Sequence, residues 1–375
     1  MWKPMIAAVV TSAALLQGCS NMLPAPSSGS QEVNFQPSWH RALDGIARGE
    51  QTETFNIVAR NNALYFVTDR GMLYEFNTSG DQQQAFATGI RPSSGVAVGE
   101  DKLFFGTYDA ELVAASLDQK SVLWRKSLTS EVLAEAGAGE GRVAVQTGDG
   151  WLTVMDAQTG KTLWRDKEDI PALTIRGTTA PIIVDGKVIT GFASGKVKAY
   201  NLQTGDMIWQ YAVGKPEGRY EIERLSDVSQ RLVVANGLVY SAAYNGTVTA
   251  IALQSGRPIW QRNIPSANSV AVNGSELAVV DQNSNVHLLN ARNGSTIWDN
   301  EQLSERSLAS PAFLKDYVAV LDRGGWVHLM NRTTGNIEAW TLADNKGPAG
   351  SQMVSSDGQL FILTPSASLT ALRYW

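Results

Sequence analysis

The sequence predicts an all-β fold: an eight-bladed β-propeller of four-stranded antiparallel blades, its ring closed by an amino-terminal strand. Three observations carry that prediction. A short alternating segment recurs eight times at intervals of 38 to 51 residues. A turn followed by a tryptophan comes after most copies. The last copy ends without room for an outer strand, and the start of the domain has one to spare.

The recurring segment reads Leu73-Tyr-Glu-Phe76, Leu112-Val-Ala-Ala115, Leu152-Thr-Val-Met155 and Val197-Lys-Ala-Tyr200. It continues as Val248-Thr-Ala-Ile251, Val286-His-Leu-Leu289, Val327-His-Leu-Met330 and Leu369-Thr-Ala-Leu372. A period near 40 residues with several short strands per unit is the signature of propeller blades. Each copy follows another apolar strand and a Gly, Asn or Asp turn, as in Leu103-Phe-Phe-Gly106 before Tyr108-Asp109-Ala110. Such turns tolerate positive φ and close a two-strand hairpin.

A glycine stands four residues before each of Trp164, Trp209, Trp260 and Trp298, and five before Trp340; Lys120 takes its place before Trp124. Glycine supplies the turn, and the indole buries a large apolar face between neighbouring sheets. These rings, with Trp39, are read as blade-docking spokes rather than as a cofactor-stacking surface. Trp39 lies in the spare segment Val33 to Leu43, which is expected to pair with the sheet formed by roughly residues 350–375. Closure of this kind removes an open join between first and last blades. Residues 34–375 divide into about 43 residues per blade.

The amino terminus reads as an address. Met5 to Leu16 is mostly apolar, and Leu16-Gln17-Gly18-Cys19 follows. The run is shorter than the roughly 20 residues that span a bilayer, so it suits a secretory signal. A small residue before a lone cysteine resembles a bacterial lipobox, which implies cleavage before Cys19 and its lipidation. The expected division is a lipoprotein signal peptide over 1–18, a Pro/Ser-rich flexible tether over 19–33 and the propeller over 34–375. Several acyl chains on one cysteine hold a soluble body firmly at a membrane. Ser20 rather than Asp after the cysteine favours the outer membrane, by analogy with enteric lipoproteins.

Composition narrows the chemistry. The net charge is −5 with no basic block, which argues against nucleic acid. A single cysteine excludes an internal disulfide and multi-Cys metal sites. His287 and His328 fill a strand slot held by Thr153, Lys198, Thr249 and Thr370 in sister blades, and His40 follows Trp39 as Arg165 follows Trp164. Histidines spread over separate blades do not suit a zinc site or a Ser-His-Asp constellation, so no metal, cofactor or catalytic residue is expected. Gly137-Ala-Gly139-Glu-Gly141 belongs to a blade hairpin and lacks the helix of a phosphate loop. Asp69, Asp109, Asp149, Asp281 and Asp322 recur at turns, where carboxylates satisfy local N–H groups.

Two adjacent gaps break the period, because the connections after Trp164 and Trp209 are long. In up-and-down blades both emerge on one face of the disc. Together they are expected to present Leu173, Ile175 and Leu225 among Arg176, Glu221, Arg224 and Asp227. An apolar centre with arginine and a charged rim is the composition of a protein-binding hot spot.

The lipobox, the Trp-docked blades and these segments together resemble the BamB family, the lipoprotein subunits of the outer-membrane β-barrel assembly machinery. The likeness is strongest over Leu173 to Gly177, Glu221 to Val228, Ala243 to Gly246 and Val280 to Asn283. It implies a non-enzymatic scaffold that binds the periplasmic POTRA repeats of BamA and assists folding and insertion of outer-membrane β-barrel proteins. Carried over by position, Leu173, Ile175, Arg176 and Asp227 match the family's contact residues. Ser229 stands where the family commonly has a second Asp, a departure at one charged contact. Exposed outer strands would also offer unfolded clients an edge for β-augmentation. Two alternatives remain. Quinoprotein dehydrogenases share the eight-bladed, Trp-docked pattern, but theirs includes adjacent cysteines beside the quinone, and this chain has no Cys after Cys19. A ligand-binding periplasmic propeller, gripping for example cell-wall glycans, is the other.

Overall fold

The computed structural model describes residues 33–43, 56–175, 178–214, 216, 219–229, 231–344, 352–364 and 368–375. Cys19, the signal segment and the tether up to residue 32 lie outside the described residues. The described strands form eight four-stranded antiparallel sheets arranged as a β-propeller. Seven are consecutive in sequence. Blade 4, for example, runs Ile182–Val184, Lys187–Gly191, Lys196–Asn201 and Met207–Ala212 from channel to rim. Blade 8 takes Met353–Ser356, Gln359–Thr364 and Ser368–Tyr374 from the carboxyl end, and its outer strand is Phe35–Ala42. The register pairs Phe35 with Tyr374 and Trp39 with Ala371.

The second and third strands of each blade are apolar runs because neighbouring blades cover both their faces. The core is therefore a series of layers between blades. Between blades 4 and 5, Ile189, Val197, Ala199 and Trp209 meet Val239, Ile251 and Leu253. Phe35 joins the layer between blades 7 and 8 beside Leu314, Leu329 and Leu360. Ring closure thus buries apolar surface as well as pairing backbone groups.

The tryptophans dock on the following blade. Trp164 Nε1 donates to the Leu202 carbonyl at 2.9 Å, and a Cβ added to Gly205 (φ +78°) would lie 2.7 Å from the indole. The same arrangement joins Trp39 to Gly80, Trp124 to Gly160, Trp209 to Gly256, Trp260 to Gly294 and Trp298 to Gly335. Glycine is required twice over, by its positive φ and by the ring against its Cα.

Trp340 does not have the docking role expected of it. Ala339 faces Leu329, the place that a docking tryptophan takes in sister blades, and Trp340 stands opposite His328. Ala339 accordingly joins the layer toward blade 8, while Trp340 packs in the layer toward blade 6. The reason is topological. Blade 8 takes its outer strand from the amino terminus, so no turn follows its third strand and no glycine is there to receive an indole. At the join between blades 1 and 2, Gln84 occupies the tryptophan's place and donates to Asp118 Oδ1 at 2.7 Å. The facing turn carries Lys120 at φ +47° instead of glycine. Indole and glycine are lost together.

Each outer strand also carries a register shift beside the docking position. This bulge turns the tryptophan toward the next blade and leaves the preceding residue, such as Ile208 or Ile259, exposed at the rim. A bulged edge is a poorer template for an added strand, which weighs against client pairing along these edges.

Candidate functional site at the connectors of blades 3 to 5

The two long connections lie on the face that carries the hairpins between second and third strands. The first leaves the outer strand of blade 3, Thr162–Lys167, and is anchored at Glu168. This buried carboxylate accepts hydrogen bonds from Ser194 Oγ at 2.8 Å and Lys196 Nζ at 3.0 Å, and pairs with buried Lys198 at 2.5 Å. Burial alone would raise its pKa; the hydrogen bonds from Lys198, Lys196 and Ser194 outweigh it and hold the carboxyl below its ordinary value. The anchor is therefore a charged group. Beneath the connector is a cavity of about 270 Å³ lined by Glu131, Gln146, Ile170, Thr174, Ile175 and Phe192, among others.

The second connection is stitched between two hairpins. Val228 N–H donates to Phe192 O of blade 4 at 3.4 Å, and Ser229 N–H to Ala242 O of blade 5 at 2.9 Å. Tyr244 N–H donates back to Asp227 O at 3.0 Å. Midway, Glu221–Arg224 forms a single 3₁₀ turn. Glu223 Oε2 accepts from the backbone N–H of Arg219 at 2.7 Å and of Tyr220 at 3.2 Å. Asn245 Nδ2 reaches across from the blade 5 hairpin to the carbonyls of Ile222, at 3.3 Å, and Glu223, at 3.2 Å.

The connectors meet. Ile175 N–H donates to Asp227 Oδ1 at 2.9 Å across 52 residues of sequence. Thr179 Oγ1 donates to Ser229 O at 3.1 Å, and Arg231 pairs with Glu135 of the blade 3 approach at 2.8 Å. Of the residues expected at the surface, Leu173 and Ile175 are exposed, at 44% and 43%, and Arg224 is exposed as well. Two expectations are corrected. Leu225 and Asp227 are buried, at 8% and 6%, because the connector folds down between the hairpins of blades 4 and 5 after its 3₁₀ turn. Asp227 is a bridge between connectors, and Leu225 is part of the packing. Arg176 lies outside the described residues, as does the side chain of Glu221. Ser229 is buried, and its hydroxyl donates to Arg231 O at 3.1 Å.

Sequence reasoning missed Tyr220 and Ile222. They are 68% and 63% exposed, more than any other large apolar side chain described on this face. The sequence holds a signal for them, two bulky apolar residues flanking Glu221, but no periodicity says which way such a loop turns.

The histidine slots differ from each other. His328 is buried with its Nε2 3.0 Å from Asp322 Oδ2, and Arg306 Nε donates to the same oxygen at 2.6 Å. Asp322 Oδ1 accepts from Gly324 and Trp326 N–H, as expected of a turn aspartate. His287, in blade 6, sits 2.7 Å from Asp299 and 3.4 Å from Asp281. Among the described residues no cluster of three or more His, Cys, Asp or Glu side chains has the arrangement of a metal site, and no helix is long and apolar enough to cross a membrane.

Known proteins resemble this chain in both sequence and fold. Residues 69–300 match the family model described as outer membrane protein assembly factor BamB. Outer membrane protein assembly factor BamB of Salmonella typhimurium (strain LT2) is 31% identical, with 96% of each chain covered. That of Escherichia coli (strain K12) is 30% identical, with 94% of each covered. Among solved structures, BamB from Moraxella catarrhalis superposes with a TM-score of 0.81 at 21% identity, covering 91% of this chain and 100% of that one. The eight-bladed ring, the paired connectors and these matches agree: the chain belongs to the BamB family of outer membrane protein assembly factors.

Proposed function

We propose that this protein is a non-enzymatic scaffold in outer-membrane protein assembly, docking the POTRA region of BamA through the connectors of blades 3 to 5. Its lipid anchor at Cys19 would hold it on the periplasmic face of the outer membrane, within reach of that partner. One observation carries the reading: connectors from separate blades are joined by the Ile175 to Asp227 hydrogen bond and leave Leu173 and Ile175 exposed beside it. A soluble protein gains nothing in stability from exposed aliphatic side chains on a fixed loop, whereas desolvated aliphatic anchors are what a protein interface uses.

Pull-down of a purified POTRA fragment tests it. Capture is expected with the wild-type chain and is expected to fall at least tenfold with Leu173→Ser or Arg176→Glu. Undiminished capture by both variants would remove this surface from the interface. Cys19→Ser is expected to move the protein from the membrane to the soluble periplasmic fraction. The dehydrogenase alternative shares only the eight-bladed, Trp-docked ring with this chain. Dye reduction by the protein supplied with quinone and calcium would revive that reading.

A further inference from the structure

Exposure on the second connector is concentrated at its tip. Tyr220 and Ile222 stand out from the surface at 68% and 63%, while Leu225, Ser226 and Asp227, a few residues on, are buried. A bare loop carrying two large apolar groups would fold them back onto the protein. This one is kept from doing so by polar contacts to its backbone. Glu223 ties down the N–H groups entering the turn, and Asn245 donates both amide hydrogens to carbonyls within it. Asn245 belongs to a different blade and is itself fixed, since the hairpin residue before it binds Asp227 O and accepts from Gln282 Nε2 at 2.8 Å.

We infer that Tyr220 and Ile222 form a second contact tip on the docking face, and that Asn245 is the positioning residue that holds the tip toward the partner. The inference rests on the scaffold reading above and commits to the same occupant, the POTRA fragment. The tip is continuous with the first connector through Asp227, which binds both Ile175 N–H and Tyr244 N–H. The partner would therefore read apolar side chains from two connectors held in one register. Preorganisation of this kind matters because ordering a loop on binding costs affinity.

Asparagine is needed at 245 as a double donor. Aspartate has the same shape but no N–H, and it would set a carboxylate against two carbonyl oxygens. The test uses Asn245→Asp, a Tyr220→Ser/Ile222→Ser double variant and the wild-type chain, with two readouts. The first is limited trypsin digestion of the free protein, followed by mass spectrometry of cuts at exposed Arg219 and Arg224. The second is capture of the POTRA fragment. Asn245→Asp is expected to speed both cuts at least fivefold and to weaken capture about tenfold, with the thermal midpoint nearly unchanged. The double variant is expected to weaken capture by a similar factor at the wild-type cutting rate. Wild-type cutting in Asn245→Asp overturns the positioning role. Capture by the double variant equal to that of wild type overturns the tip and leaves the scaffold reading standing. Failure of the wild-type chain to capture the fragment overturns the scaffold reading and, with it, the occupant proposed for the tip; the digestion still decides whether Asn245 holds the turn.

Discussion

Asp322 shows how a residue shared by several blades acquires a private environment in one of them. It is a turn aspartate like its counterparts, yet fully buried, with His328 and Arg306 on one oxygen. Burial would raise its pKa, but the hydrogen bonds from His328 and Arg306 prevail and lower it. Burial lowers the pKa of His328 below its ordinary 6.5, and the nearby carboxylate only partly offsets this. Both shifts act in one direction. The unfolded chain takes up protons at a higher pH than the folded one, first at histidine and then at the carboxylate. The contribution of this pair to stability is therefore full above about pH 6.5 and declines as pH falls toward the folded-state values. Thermal midpoints measured between pH 7.5 and 4.5 are expected to drop with acidity. His328→Gln should flatten the part of that fall between pH 6.5 and 5; an unchanged slope would place the titrating group elsewhere. Leu173→Ser, by contrast, replaces an exposed side chain and is expected to move unfolding free energy by no more than about 0.5 kcal/mol. A larger loss would mean that Leu173 supports the fold.

At the scale of an element, the glycine turn and the indole that covers it form a two-part joint between consecutive blades. Gly205→Ala is expected to destabilise by roughly 2–4 kcal/mol, from left-handed strain and from overpacking against Trp164. Gly186 has a similar φ, +68°, but nothing within 4 Å of an added Cβ, so Gly186→Ala should show the strain alone, about 1–2 kcal/mol. Urea unfolding of the pair separates the two contributions, and equal losses would mean the indole yields freely. Trp209→Ala is expected to cost on the order of 3–5 kcal/mol by the same measurement. Six spokes were legible in the sequence because turn and tryptophan recur at a fixed local spacing. Trp340 was not, because docking depends on a glycine in the next blade; counted from Gly335, the docking place falls to Ala339, and Trp340 lies one residue beyond it. Spacing within a blade carries no information about a partner strand that never follows.

The whole molecule depends on a strand that crosses from one end of the chain to the other. Phe35 is 6% exposed and packs in the layer between blades 7 and 8, and Leu43 packs in the layer between blades 8 and 1. Phe35→Ala is expected to lower stability by roughly 3–5 kcal/mol. Removing residues 33–43 altogether should expose the edge strand Ser368–Tyr374 and drive self-association, measurable by sedimentation; a monomer of unchanged thermal midpoint would show that the ring does not need its clasp. Blade number, strand pattern, the clasp and six of the seven expected spokes are all legible in the chain. Each of these rests on short-range patterns of turn residues and apolar alternation that repetition makes unmistakable. The sequence also placed the connectors on one face, since that follows from blade topology. Which connector side chains reach solvent is set by packing between blades. Asp227 and Leu225 went inward, and Tyr220 and Ile222 outward, because in a loop without period, burial is set by the hairpins of other blades that pack against it.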